Sequence, residues 1–218
     1  MHLLAYKALS MSLLERPKFD FHCHSDYSDG GLSPASLIDY ACEREIKYLA
    51  LTDHDSISGL DEARAYIDTI ASDLQLISGV EISALSEFGE IHIVGLGIEE
   101  SESLETALAQ QRAKRWQRAQ EIDAKLQKLA VTGMLDWCRE NVKQVVTRTH
   151  MSQALVALGY AKDNQQVFKR YLGHKGKVKV PKIWMSLEQA IGLIKAAGGT
   201  SVLAQANAQG QNALRLIG

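Results

Sequence analysis

No apolar run in the 218 residues approaches the roughly 20 that a membrane helix needs, so no membrane span is expected. The stretch Met1 to Glu15 carries several leucines, but Lys7 and Ser10 interrupt them and no small-residue cleavage site follows. It reads as a short N-terminal extension or helical arm rather than a signal peptide. An excess of one charge is missing too: Lys and Arg number 24 against 26 Asp and Glu, a net charge of -2. No global basic field draws the chain to a DNA duplex or an anionic membrane, so any nucleotide or RNA contact must be local. Cysteine is sparse. Cys23, Cys42 and Cys138 are odd in number and widely spaced, which excludes a disulfide framework and points to a reducing compartment, by default the cytoplasm. No solenoid-length repeat is present, and the only biased segment is the Ala-, Gln- and Asn-rich stretch Ala204 to Ala213. What remains, 46% hydrophobic and 23% charged residues, is ordinary globular usage for one domain with a sizeable core and a small insertion.

After Pro17, Phe19 to His24 alternates with a period of two, which puts Asp20, His22 and His24 on one face of a strand. Phe19, Phe21 and Cys23 take the other face, so Cys23 is a core residue rather than a ligand. Ser33 followed by Pro34 is an N-cap and first helical position, leading into an apolar stripe through Leu37, Ile38, Ala41 and Cys42. The unit repeats with a strand at Tyr48 to Leu51, the loop Thr52-Asp53-His54-Asp55 and a helix over Leu60 to Ala71. A strand at Leu74 to Ile77, a turn at Ser78-Gly79, the run Val80-Glu81-Ile82 and a strand over Glu90 to Leu96 follow. Alternating strand and helix signals predict an α/β fold with a mostly parallel sheet or a barrel, and chemistry in such folds gathers at strand C-terminal ends. His24, His54 and Glu81 all fall there.

From about Glu99 the pattern turns helical, with a long polar helix over Leu104 to Leu129. Arg112, Arg115 and Arg118 on it read as a solvated face, and Trp116, Trp137 and Trp184 as packing anchors. Ser186-Leu187-Glu188-Gln189 is a capping box that reopens the α/β pattern, followed by a strand at Thr200 to Ala204. The expected division is an extension over 1–17, a barrel from 18–98 and 186–218, and a helical insertion over 99–185.

A lone His-x-His or Thr-Asp-His is weak evidence of chemistry. The ordered series is not: His22-x-His24, Ser28-Asp29-Gly30, Thr52-Asp53-His54, Gly79-Val80-Glu81 and His92. From about Lys18 to Ala204 it resembles the PHP (polymerase and histidinol phosphatase) family. Arg148-Thr149-His150, the run Phe168 to Gly173 and the run Ala197 to Ala204 resemble that family's branch of nucleoside 3',5'-bisphosphate phosphatases and RNA 5'-end exonucleases. The resemblance implies a distorted (β/α)7 PHP barrel holding two or three divalent metal ions, Mn²⁺ foremost, with Zn²⁺ or Fe²⁺ as other choices. It implies that His22, His24 and Glu81 hold one ion, that Glu81 bridges to a second held by His92 and His150, and that Asp29 and His54 contribute to a third. Arg148 would grip the substrate phosphate, and Asp20, Asp53 and Asp55 would orient ligand imidazoles or, equally, serve as turn and cap carboxylates. The implied activity is hydrolysis of phosphate esters of nucleotides or short RNA by metal-activated hydroxide.

The branch follows its Gly-Gly strand with Ala-His-Pro and closes with an Asp-x-His pair. Here Ala204 is followed by Gln205-Ala206, and no Asp-x-His occurs before Gly218. The expectation is therefore an incomplete barrel with an unpaired edge. One alternative is a weakly active or inactive remnant that binds metal or RNA. The other is a histidinol-phosphate phosphatase, which the long insertion and the Arg148 to His150 motif fit less well.

Overall fold

The computed structural model describes residues 18–87 and 89–204; the extension over 1–17 and the stretch after Ala204 lie outside the described residues. Strand β1 (Lys18–Cys23) leads to helix α1 (Pro34–Glu43), which starts where Ser33 Oγ accepts the Ser36 amide at 3.2 Å. Strand β2 (Ile46–Leu51) lies parallel to β1, and helix α2 (Gly59–Ile67) follows it. Strands β3 (Gln75–Ser86) and β4 (Gly89–Leu96) run antiparallel.

The turn expected at Ser78-Gly79 does not form. Instead β3 runs through it and changes partner: Gln75 to Ser78 pair with β2, and Gly79 to Ser86 pair with β4. Gly79 is needed for closeness rather than for a turn, because a Cβ there would stand 2.7 Å from Thr52 Cγ2 and 2.8 Å from Leu51 O. That close approach lays the loop after β2 across β3 at Glu81.

The helical part comprises α3 (Glu102–Gln127), α4 (Met134–Asn141), α5 (Arg148–Ala157) and α6 (Asn164–Val167), the last running into a π-helical turn over Phe168–Leu172. Strand β5 (Met185–Ser186), α7 (Leu187–Ala196) and β6 (Thr200–Ala204) return the chain to the sheet. The capping box at Ser186 and Gln189 forms as its sequence indicates. The sheet is mixed, curled and six-stranded in the order β1-β2-β3-β4-β6, with β5 beside β3. The expected PHP barrel is therefore present as a sheet that is open between β1 and β6 among the described residues. Phe19 on β1 is 64% exposed and Val202 on β6 is 44% exposed, so the strand face opposite Asp20 and His22 is not wholly core. Cys23 is half-buried and packs against that core.

Two apolar clusters hold the molecule. The first joins the sheet to its helices through Leu49, Val80, Ile82, Ile93 and Ile194; the second lies among the helices, around Ile122, Leu126, Met134 and Leu155. Helix α3 belongs to both, since Leu104 and Leu108 sit in the first and Ala119 onward in the second. Its arginines overturn the expectation of a solvated face: Arg115 and Arg118 are buried, and Gln111 is wholly so. Along the helix, Gln111, Arg112 and Arg115 bond Asp55 and Ser83, so a polar stripe there meets protein instead of water.

Candidate metal centre

Four strands deliver five groups to the same point. β1 ends into His22 and His24, the loop after β2 carries His54, β3 carries Glu81, and β4 carries His92. A short parallel bridge between His54 and Glu81 fixes two of them, with the Glu81 amide donating to Asp53 O at 3.1 Å and the Asp55 amide to Glu81 O at 2.9 Å. Gly30 folds the turn that brings in Asp29, since a Cβ there would lie 2.0 Å from His24 O.

The Glu81 carboxylate is the hub. Its Oε2 lies 3.3 Å from His22 Nε2, 3.1 Å from His24 Nε2 and 3.1 Å from His54 Nδ1, while Oε1 lies 3.1 Å from His92 Nδ1. Asp29 Oδ1 is 3.7 Å from His54 Nε2, and its Oδ2 accepts from Thr149 Oγ1 at 2.9 Å. Three groups each have ligand atoms within 4.8 Å of one another: His22, His24 and Glu81; His24, Asp29 and His54; and His54, Glu81 and His92. Glu81 Oε2 and His54 Nδ1 are buried with no hydrogen-bond partner. Buried polar atoms are ordinarily satisfied, and two facing orphans in a nitrogen and oxygen donor set fit a divalent cation.

Electrostatics point the same way. Burial pushes the Glu81 carboxyl up, but the surrounding imidazoles of His22, His24 and His92 outweigh it and hold the group far below the usual carboxylate range. Burial, then the Arg115 charge, lowers His54 to about 4, leaving the ring neutral at pH 7. Burial opposes protonation of His24 as well, yet the adjoining Glu81 raises it above its ordinary value. Burial raises Asp29, and the His54 ring and the Thr149 hydroxyl more than offset it.

The second tier of expected residues divides. Asp53 accepts from Ser25 N at 2.7 Å, Ser25 Oγ at 2.6 Å and Ser28 Oγ at 2.6 Å, and Ser28 Oγ lies 3.4 Å from His24 Nδ1. Asp53 thus reaches a ligand imidazole through a serine, and that imidazole faces Glu81 with its Nε2. Asp20 accepts only its local His22 amide, at 3.1 Å, and Asp55 bonds Ser83 and Arg115, so neither touches an imidazole. His150 joins none of the three groups. Its Nδ1 lies 3.2 Å from both Thr147 N and Thr147 Oγ1, closing the capping box that starts α5.

Arg148, the first residue of α5, is 43% exposed at the rim, 3.7 Å from Glu90. Glu90 also takes Lys182 at 2.5 Å and the Trp184 indole. It stands between an inner cavity of about 230 Å³, bordered by Asp29, His54, His92 and Arg115, and an outer cleft of about 890 Å³ bordered by Lys125, Arg148, Lys179 and Lys182. Glu90, Trp184 and the buried arginines of α3 were not legible as site residues. The signal that bears on them is the i, i+3, i+6 spacing of Arg112, Arg115 and Arg118 on one helix face.

A model of the PHP domain matches residues 20–198. A 5'-3' exoribonuclease of Haemophilus influenzae is 42% identical over 188 residues, covering 86% of this chain and 68% of that protein. A 3',5'-nucleoside bisphosphate phosphatase of Chromobacterium violaceum is 39% identical over 190 residues, covering 85% and 65%. Among solved structures, an amidohydrolase from Chromobacterium violaceum with bound sulfate superimposes with a TM-score of 0.78 at 38% identity, covering 85% of this chain and 66% of that one. The chain spans about two thirds of the length of the curated relatives it matches. A domain match over most of the chain, joined to identities of this size, means that the chain belongs to the PHP domain family.

Proposed function

We propose that this chain hydrolyses phosphate esters of nucleotides, taking nucleoside 3',5'-bisphosphates or the 5' ends of short RNA, at a centre of two or three divalent ions. The observation that carries the reading is the pair of buried atoms Glu81 Oε2 and His54 Nδ1, 3.1 Å apart and without a hydrogen bond, at the meeting point of four imidazoles. Imidazole and carboxylate suit Mn²⁺ first in this proposal, with Zn²⁺ and Fe²⁺ also matched by the donor set. Bound there, the ions would polarise a phosphoryl group and acidify water at neutral pH.

The chain's own residues supply the rest. His22, His24 and Glu81 would hold one ion, Glu81 would bridge to a second with His92, and Asp29 and His54 would contribute to a third. His54 is neutral at pH 7 and so needs to shed no proton on binding. His150 uses its Nδ1 in the α5 cap, which leaves Nε2 as the nitrogen it would offer beside His92. Arg148 at the rim offers a planar fork to a phosphate entering from the outer cleft, where Arg118 and Lys182 add positive charge. The names of the relatives, an exoribonuclease and a nucleoside bisphosphate phosphatase, support a nucleotide substrate and do not favour histidinol phosphate. Three free cysteines support a reducing compartment such as the cytoplasm, and no helix among the described residues is long and apolar enough to cross a membrane.

Phosphate release from adenosine 3',5'-bisphosphate and from a 5'-phosphorylated oligoribonucleotide, with added Mn²⁺, tests the proposal against a His22→Ala variant. Release by the parent well above the variant is the expected result. Equal background in both would leave a metal- or RNA-binding remnant as the better description.

A further inference from the structure

Helix α3 reaches the candidate metal centre through one buried guanidinium that the proposed reaction does not use. Arg115 is 7% exposed; its Nε donates to Asp55 Oδ2 at 2.7 Å and its Nη2 to Ser83 Oγ at 2.6 Å. The Trp184 ring covers it, with the Arg115 Cζ 5.1 Å from the ring centroid. Four residues before it on the same helix, Gln111 donates to Ser83 O at 2.8 Å, and Arg112 donates to Asp55 O at 3.1 Å. One helix therefore grips two residues, and these two flank the hub.

Asp55 follows His54 and adopts a left-handed φ of 44°, a conformation unfavourable for a non-glycine residue that persists only where contacts hold it. Ser83 lies two residues after Glu81 and opposite His92 in the β3–β4 register. Asp55 Oδ1 accepts the Ser83 amide at 3.0 Å, so the same carboxylate ties the loop after β2 to β3 while Arg115 balances its charge. A wholly buried carboxylate stripped of its cation is strongly unfavourable and must rotate, draw in water or take up a proton. Rotation or water entry releases the Ser83 amide and loosens the bridge between His54 and Glu81.

We infer that Arg115 and Asp55 are positioning residues that fix His54, Glu81 and His92 relative to one another before an ion binds, and so tie the affinity of the centre to the helical insertion. The inference rests on the reading of that cluster as a metal centre. The hydrogen bonds of these two side chains go to each other, to Ser83 and to Val146 O rather than to a ligand atom, so the positioning passes through the backbone. Groups that orient metal ligands typically carry about 10- to 100-fold in affinity, and a loss at the lower end, about 10-fold, is expected here.

The test is Mn²⁺ affinity by competition with a fluorescent chelator, measured well below the melting temperature, for the parent, Arg115→Met, Asp55→Asn and the double variant. Each single variant should bind about 10-fold more weakly, and the double variant should lose little more than the worse single, because the two residues act as one unit. A lower melting temperature with unchanged Mn²⁺ affinity would mean a purely structural pair and overturns the inference. Should Arg115→Met not fold, Asp55→Asn keeps the volume but offers one acceptor oxygen where Arg115 and the Ser83 amide need two, and it decides alone. If the parent itself binds no Mn²⁺, the metal-centre reading falls and this inference with it. If the parent binds and the variants bind equally, only this inference falls.

Discussion

Cys23 and Glu81 show how little a residue's neighbours in sequence say about its chemistry. Cys23 stands between two histidines of the centre, yet its Sγ donates to Ala50 O at 3.1 Å on the other face of β1. Burial, followed by the charges of Asp20 and Asp53, pushes the thiol up to about 12, so at neutral pH it keeps its proton and offers no thiolate to an ion. Glu81 has no histidine beside it in sequence and is ringed by four in space. Cys23→Ala should therefore leave Mn²⁺ affinity unchanged in a chelator competition, whereas Glu81→Gln, with the same shape and no charge, should lose on the order of 100-fold. A large loss in the cysteine variant would place the thiol among the ligands and undo the strand-face argument.

Elements with local stop and start chemistry were readable, and elements defined by what packs on them were not. Ser33-Pro34 and Ser186 to Gln189 announce helix starts because a cap needs only residues three apart, and both caps form. Ser78-Gly79 reads as a turn because glycine is the usual turn residue, but here its missing Cβ admits the β2 loop and β3 stays straight while it exchanges partners. The arginines of α3 read as solvated because periodicity alone cannot tell water from a covering backbone. For His150, the sequence gives the histidine and the family motif, while its place three residues after Thr147 gives the cap. Thr147→Ala should cost about 1 kcal/mol in urea unfolding, the usual value of an N-cap. No change in stability would mean that the box contributes nothing.

At the scale of the molecule, the groups of the centre come from four strands of one sheet, and α3 runs from the core of that sheet into the helical core. An ion at Glu81 therefore cross-links segments that separate on unfolding, and it replaces imidazole–carboxylate contacts that leave Glu81 Oε2 and His54 Nδ1 without hydrogen bonds. Binding to the folded chain alone stabilises it by about 2.7 kcal/mol when free ion stands at 100 times its dissociation constant. For a protein of this size that amounts to a rise in melting temperature of about 5–11 °C, reversed by EDTA. Heating followed by circular dichroism, with Mn²⁺ varied, reads the shift directly, and its dependence on ion concentration should follow the affinity measured by competition. A chain that binds Mn²⁺ but melts at one temperature throughout would be holding the ion as tightly when unfolded as when folded. Scattered histidines can do that, and a centre assembled from four strands cannot.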